Sequence, residues 1–416
     1  MLSTAAGFQN LLKEGFRHYA GLEEAIVRNI EACKEISDKT KTSIGPNGMK
    51  KIVVNHFDKL FITSDAAAML KEIEVNHPAA KMIVMAAKMQ EQECGDMSNF
   101  VITFAGELLN QAQDLIKMGL HPSDIVRGYE IATKKATEVL EGLKHFEVTD
   151  QTNLEQVTPV IESALCPKMP AYYKHFAKLL SEACTKICPK GNQFDLDHVR
   201  IVKIVGAGLL DSHLVNGMVI ERPPMGSLSS VENPKVACYN CPFDISGGET
   251  KGTVLIKTAA DLLNFSKSEE TLMEKHVKAI ADQGVKVVVV GGTISELAQH
   301  YLEKYELMPI RIMSKFDLMR ICKCLGAVPI PQLGQPTQEE LGHCKKVSVK
   351  EIGSEKVTVF EKDDVNTKLM TIVVRGATQA ILEDVTRSLH HGLNTFRVTL
   401  KHREFIYGAG ATEAVT

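Results

Sequence analysis

The sequence predicts a multi-domain protein of mixed class, mainly helical at first and α/β further on. Three observations carry this. At 416 residues the chain can bury two or three separate cores. Apolar residues recur at helical spacing through most of the stretch up to about Leu143. From about Val215 short β-rich runs alternate with helical segments, the pattern of a compact α/β domain. Hydrophobic residues at 44% and charged residues at 24% make an ordinary soluble balance. The net charge of −3, with its basic residues dispersed, gives no electrostatic case for nucleic acid or a membrane surface as partner. No apolar run reaches the length of a membrane span. The opening MLSTAAGFQNLLKEGF lacks a basic region followed by a long apolar core, so no secretory leader is expected. Ten scattered cysteines fit reduced thiols in a cytoplasmic protein.

In chain order, Gly21 to Lys41 reads as an amphipathic helix, with Leu22, Ala25, Ile26, Ile30, Cys33 and Ile36 on one face. TSIGPNGMKK, Thr42 to Lys51, cannot continue it. Its Gly45 and Gly48 allow a backbone to approach a ligand, with Lys50 and Lys51 nearby. The same residues also make a good plain turn, and both readings stand at this point. Lys51 to Asn55 and Lys59 to Thr63 read as a hairpin. Asp65 opens the next helix, either as its cap or as a carboxylate that orients a water.

Gln90 to Leu109, QEQECGDMSNFVITFAGELL, joins two helical runs. The first, Pro78 to Glu93, ends at Gly95, and the second starts near Ser98. Asp96 stands at the new helix N-terminus, where free N–H groups and the macrodipole favour phosphate. A carboxylate there could hold a Mg²⁺ that bridges phosphate oxygens. The alternative is that Ser98 or Asp96 only caps a helix. HPSD at His121 to Asp124 is a break and cap. The composition turns polar at Lys144 to Asn153, a domain boundary. Leu154 to Cys188 is helical again, interrupted by SALCPKMP (Ser163 to Pro170), which carries Lys168.

Asp195 to Val205 forms a strand unit. The GAG at Gly206 to Gly208 does not open a helix, so it is no dinucleotide loop. Strands follow at Lys235 to Tyr239, Lys286 to Val290, Ile310 to Ile312 and Leu369 to Val374. Helices fill Glu269 to Gln283, Ile294 to Tyr305 and Lys315 to Leu325. The CxxC of Cys238 and Cys241 and the CxC of Cys322 and Cys324 read as structural thiols, because a zinc site needs four ligands in register. Pro242 to Glu274 is long and glycine-interrupted, which suggests an excursion from the domain. Thr371 to Val398 is a strand, a turn and an amphipathic helix. REFIYGAGATE then brings Gly408 and Gly410.

These motifs, in this order, resemble those of the group II chaperonins. IGPNGMKK is similar to the family's LGPxGMDK phosphate loop, ITSDAAAML to TNDGATIL, and GDMSNF to GDGTT or GDGTN. SALCPK resembles the nucleotide-sensing loop, TIVVRGAT the return strand and GAGATE the GGGxxE segment. The resemblance covers the whole chain and points to the eukaryotic cytosolic chaperonin, TRiC.

It implies chaperonin architecture. A mainly helical equatorial domain would span residues 1–146 and 404–416. A small α/β intermediate domain would span 147–214 and 371–403. An α/β apical domain, 215–370, would carry a lid protrusion at Pro242 to Glu274. The implied activity is a ring subunit that binds ATP with Mg²⁺ and assists the folding of unfolded clients such as cytoskeletal proteins. Its partners would be paralogous subunits of a hetero-oligomeric double ring in the cytoplasm. Asp96 matches the metal ligand and Asp65 a water-activating carboxylate. Ile44, Gly45, Pro46 and Gly48 match one phosphate loop, and Met97, Ser98 and Asn99 the other. Lys168 matches the γ-phosphate sensor, and Gly408 and Gly410 the sugar side.

Three departures stand out. Where the family reads SLHDAL, this chain reads SLHHGL, so His391 takes the place of a catalytic Asp. Met97 replaces a phosphate-hugging glycine. The chain also stops at Thr416, short of the helical C-terminal part from which the family takes adenine contacts and ring-to-ring surface. The expectation is therefore a C-terminally truncated chain that leaves Ile83, Val101, Phe104 and Leu108 partly uncovered. A non-hydrolysing structural or client-binding subunit is the alternative function. A client surface is expected on Phe316, Leu318, Met319 and Ile321 of one apical helix, and on Val254, Leu255, Ile256, Leu262, Leu263 and Phe265 of the protrusion.

Overall fold

The computed structural model describes residues 22–55, 58, 60–188, 194–244, 259–353, 355–362 and 368–416; residues 22, 23 and 259–269 are described by backbone only. The protrusion residues Val254, Leu255 and Ile256 lie outside this set, as do the side chains of Leu262, Leu263 and Phe265. The chain forms two compact units, residues 1–181 with 383–416, and residues 182–382.

In the first unit, helices α1 (Leu22–Lys41), α2 (Ala66–Glu72), α3 (Pro78–Glu93), α4 (Ser98–Lys117) and α5 (Pro122–Glu141) are joined by a small, largely exposed hairpin. Strands β1 (Lys51–Val54) and β2 (Leu60–Thr63) pair antiparallel, Lys51 opposite Thr63. Pro78 starts α3 where its missing N–H is not needed. Cys33, Val53, Met69, Leu70, Ile83, Val84 and Ile102 form the core. Helices α1 and α4 pack closely because Gly106 has no side chain; a Cβ there would lie 2.3 Å from Ser37.

Helix α6 (Leu154–Leu165) and the loop after it lead into α7 (Tyr173–Ile187). The long α11 (Gln379–Lys401) returns to this unit from about Glu383. Its Leu389, Leu393 and Phe396 are buried. The short β3 (Phe146–Glu147) pairs antiparallel with β15 (Glu404–Phe405), and α12 (Ala411–Val415) ends the chain.

The expected uncovered face is found in part. Phe104 is exposed and Val101 and Leu108 are half-buried, but Ile83 is core. It faces inward one turn from Ala87 and Ala80, while Met82, Met85 and Met89 take the outer face of α3.

Among the described residues, the second unit holds three sheets. Strands β8 (Lys235–Tyr239), β9 (Val285–Val290) and β10 (Met308–Arg311) are parallel, and β11 (Gly342–His343) adds an antiparallel edge. The run VKVVVV suits β9, a central strand covered on both faces. Cys238 faces one core with Cys322, Cys324 and Cys344, while Cys241 packs against the other. The two ends of the CxxC therefore sit on opposite sides of the sheet. Helices α8 (Ala259–Asp282), α9 (Glu296–Lys304) and α10 (Lys315–Leu325) belong to this layer.

A second sheet, β6 (Gly217–Ile220), β13 (Glu355–Glu361), β12 (Lys346–Ile352) and β7 (Ser230–Glu232), is antiparallel throughout. It does not follow from the alternation of strand and helix in the sequence. A third sheet places β14 (Met370–Gly376) between β4 (Val199–Val205), parallel, and β5 (His213–Val215), antiparallel.

On α10 the expected client residues divide. Phe316 is 77% and Met319 48% exposed, whereas Leu318 and Ile321 are core. Successive helix positions point about 100° apart, so one short helix cannot present all four to a partner.

Candidate nucleotide site

The turn between α3 and α4 builds the centre of the site. Gly95 adopts a left-handed φ of +73°, which reverses the chain after α3. It also admits α11, since a Cβ there would lie 2.1 Å from Cγ of Asn394. Met97 is left-handed as well, at φ 68°, and caps α4 without a side-chain bond. Asp96 stands between them. Its Oδ1 accepts from the Met97 N–H at 2.7 Å and from Lys168 Nζ at 2.7 Å, and lies 3.3 Å from His391 Nδ1. Lys168 is held by the turn after α6, where its N–H donates to the Leu165 carbonyl at 3.0 Å.

His391 Nδ1 lies 2.8 Å from the Gly95 carbonyl. A carbonyl only accepts, so Nδ1 carries the proton. Nε2 then points toward Asp65 Oδ2 at 3.9 Å, beyond hydrogen-bond length. Burial pushes the Asp96 carboxyl up, but the His391 hydrogen bond and the Lys168 ammonium outweigh it. The group is held well below the usual carboxylate range. Burial pulls the Lys168 ammonium down, and Asp96, Asp65 and Asp384 offset only part of that.

Asp65 caps α2. Its carboxylate accepts from the Ala67 and Ala68 N–H groups at 3.3 and 3.1 Å, and from Ser98 Oγ at 2.9 Å. The Asn99 side chain accepts from the Ala66 N–H at 2.6 Å and donates to the Ser64 carbonyl at 3.0 Å. Asp65, Asp96, Ser98, Asn99, Lys168 and His391 thus form one cluster, from segments far apart in sequence. Asp65 is thus both the cap of α2 and a member of the cluster.

The GPNG loop is a closed turn. Gly48 N–H donates to the Gly45 carbonyl at 3.0 Å and Met49 N–H to the Thr42 carbonyl at 2.9 Å. Ile44 is 43% exposed and Pro46 is exposed on the same loop. The loop is tied toward the cluster by Lys50, whose Nζ lies 2.5 Å from Asp384 Oδ2. Gly408 and Gly410 lie in the turn before α12. Among the described residues, the hydrogen bonds of that segment stay within the tail and reach His145 through Tyr407.

Asp384 and Arg387 were not singled out from the sequence. Asp384 lies seven residues before His391, two turns back on the same face of α11, which is the signal that could have found it. Arg387 donates to the Ile62 carbonyl at 2.7 Å and so ties α11 to the strand that leads into Asp65.

Among the described residues no three His, Cys, Asp or Glu are arranged to hold a metal ion alone. Asp96 still fits a Mg²⁺ held by one carboxylate and by ligand oxygens. It stays ionised, and all three of its described contacts fall on Oδ1.

A mainly helical unit with a carboxylate at a helix N-terminus, a lysine from a following loop and a returning long helix is the arrangement expected of the family its motifs resemble. The chain belongs to the TCP-1/cpn60 chaperonin family, which matches residues 36–416. It is 47% identical to T-complex protein 1 subunit theta of Homo sapiens over 409 residues, 98% of this chain and 75% of that protein. The Gallus gallus subunit is 48% identical over the same length, and the Dictyostelium discoideum subunit 45% over 408 residues, or 98% of this chain and 76% of that one. No described helix is long and apolar enough to cross a membrane.

Proposed function

We propose that this chain is a theta-like subunit of the hetero-oligomeric cytosolic chaperonin double ring, and that it binds Mg-ATP at the Asp96 cluster while assisting the folding of client proteins. The observation that carries the nucleotide reading is the convergence of Asp65, Asp96, Lys168 and His391 at the N-termini of α2 and α4. Equatorial (1–146, 404–416), intermediate (147–214, 371–403) and apical (215–370) domains are the proposed division of labour. Paralogous subunits and unfolded clients such as cytoskeletal proteins are the proposed partners.

Asp96 would hold the Mg²⁺, which when bound neutralises phosphate charge. Lys168 is placed to turn from Asp96 to an incoming phosphate, since its ammonium is poorly solvated and Asp96 is its ion-pair partner among the described residues. Asp65 would orient the attacking water, because its Oδ2, among the described residues, accepts from Ala68 alone and faces the gap to His391. Ile44, Gly45, Pro46, Gly48, Met97, Ser98, Asn99, Gly408 and Gly410 are the proposed backbone contacts of the nucleotide. Phe316 and Met319 are the exposed apolar groups proposed to meet clients.

One observation favours slow hydrolysis, or none. His391 spends Nδ1 on Gly95, so only Nε2 could accept from a water, where a carboxylate would offer two oxygens. General-base help is worth ~10²–10⁴-fold, so losing part of it lowers the rate without removing binding. The test is single-turnover hydrolysis in a ring where this chain is the only competent subunit. His391→Asp should raise the rate by at least ~tenfold, the lower part of that range. An unchanged rate for His391→Asp, with Asp65→Ala inactive, makes the second carboxylate unnecessary and refutes this account.

A further inference from the structure

We propose that Asn99 is a positioning residue for Asp65: its amide grips the peptide groups on both sides of Asp65 and so aims that carboxylate. The inference rests on the nucleotide reading above for its consequence, but not for its geometry. Asn99 Oδ1 accepts from Ala66 N–H at 2.6 Å, and Nδ2 donates to the Ser64 carbonyl at 3.0 Å. Ser64 and Ala66 flank Asp65, so the amide bridges over it.

The side chain next in sequence completes the grip. Ser98 Oγ donates to Asp65 Oδ1 at 2.9 Å and is itself 2% exposed. Asp65 N–H donates to Thr63 Oγ1 at 3.1 Å, which fixes the approach from β2. With backbone and carboxylate both held, the Asp65 oxygens have one orientation, capping Ala67 and Ala68 and facing His391.

An amide suits this bridge best. One side must accept from an N–H and the other must donate to a carbonyl, at the same time and in one plane. Asn does both, a carboxylate would set an acceptor against the Ser64 carbonyl, and a hydroxyl can serve only one side well. Both ends of the Asn99 amide are therefore engaged beside Asp65, with one Nδ2 N–H to spare, and the effect of the side chain on chemistry passes mainly through Asp65.

Residue-resolved amide exchange in the nucleotide-free chain tests the geometry directly. Asn99→Leu must free the Ala66 amide, which Asn99 itself holds. The informative amides are Ala67 and Ala68, whose acceptor is Asp65. They should exchange about tenfold faster in Asn99→Leu, the loss of roughly one hydrogen bond each, with the rest of α2 unchanged. Asn99→Thr, the residue of the GDGTT form, should recover part of the protection.

The consequence is read by a split between affinity and rate in the assembled ring. Asn99→Leu should keep the affinity for a non-hydrolysable ATP analogue within about threefold, while single-turnover hydrolysis falls ~10²-fold, the scale of a ~1 Å misplacement. Asn99→Thr should lie between. Unchanged exchange at Ala67 and Ala68 overturns the proposal whether or not nucleotide binds. Parallel losses of affinity and rate also overturn it, because the Asn99 side chain, and not only its backbone, would then hold the nucleotide. A parent chain with no affinity for ATP refutes the functional reading, and the exchange result still decides the role of Asn99.

Discussion

Substituting Gly95 by alanine should damage the first unit more than any other single methyl group added to this site. Two independent terms add. Gly95 sits at φ +73°, and a left-handed alanine costs about 1–2 kcal/mol. The new Cβ would also lie 2.1 Å from Asn394 Cγ, 2.3 Å from its Nδ2 and 2.4 Å from its Cβ. A rotamer change moves the first two atoms away but not the third, which is fixed to α11. Ordinary contact begins at 3.4 Å, so the turn and the helix must part by about 1 Å. Overpacking of this kind costs about 1–3 kcal/mol. The sum is about 2–5 kcal/mol, and at ~2–4 °C per kcal/mol for a unit of this size the melting temperature should fall by at least ~4 °C.

The same movement would carry His391 off the Gly95 carbonyl, since it lies one turn from Asn394 on α11. Thermal unfolding followed by circular dichroism is the assay, and the second-site variants separate the two terms. Asn394→Ala leaves its Cβ in place and should not rescue Gly95→Ala. Asn394→Gly removes that atom and should recover the overpacking part, leaving the left-handed strain of about 1–2 kcal/mol. A Gly95→Ala protein that melts within ~1 °C of the parent would refute the reasoning. So would equal rescue by Asn394→Ala and Asn394→Gly.

Other perturbations bear on the same cluster and on the client face. Met97→Gly should stabilise by about 1 kcal/mol, because Met97 is left-handed and 55% exposed, so little packing is lost; a lower melting temperature would contradict this. Asp96→Asn should destabilise by about 1–3 kcal/mol, less than for a fully buried pair because both side chains keep some solvent contact. Asp96 is depressed in the folded state, so its contribution is present above its unfolded value near ~3.9 and lost as pH falls through the lower folded value. The stability gap between parent and Asp96→Asn should therefore close only below about pH 4, and unfolding curves across pH check this. Phe316→Glu and Met319→Glu should weaken capture of an unfolded client without unfolding the second unit, whereas Leu318→Ala should destabilise it by about 2–5 kcal/mol.

The sequence by itself determined the punctuation of this protein. Pro78, Gly95, Pro122 and the GPNG turn mark where helices start and stop, since these residues limit the backbone locally whatever packs around them. Periodicity determined α1, α3, α4 and α10, because a buried face leaves a 3.6-residue record. The order of short motifs determined the family and which residues to examine. The antiparallel sheet of β6, β7, β12 and β13 left no such record, because β6 and β7 are short and pair with β13 and β12 far along the chain. Only the tertiary structure decided that Asp65 is both a cap and a member of the charged cluster, and that Asn99 turns its amide on Ser64 and Ala66. It alone decided that Lys50 reaches Asp384, that Gly95 must admit Asn394, and that Ile83, Leu318 and Ile321 face inward. The physical reason is one of range. Helix caps and turns are set by a few neighbours in the chain, but the direction of a side chain's hydrogen bonds is set by groups that folding brings from hundreds of residues away.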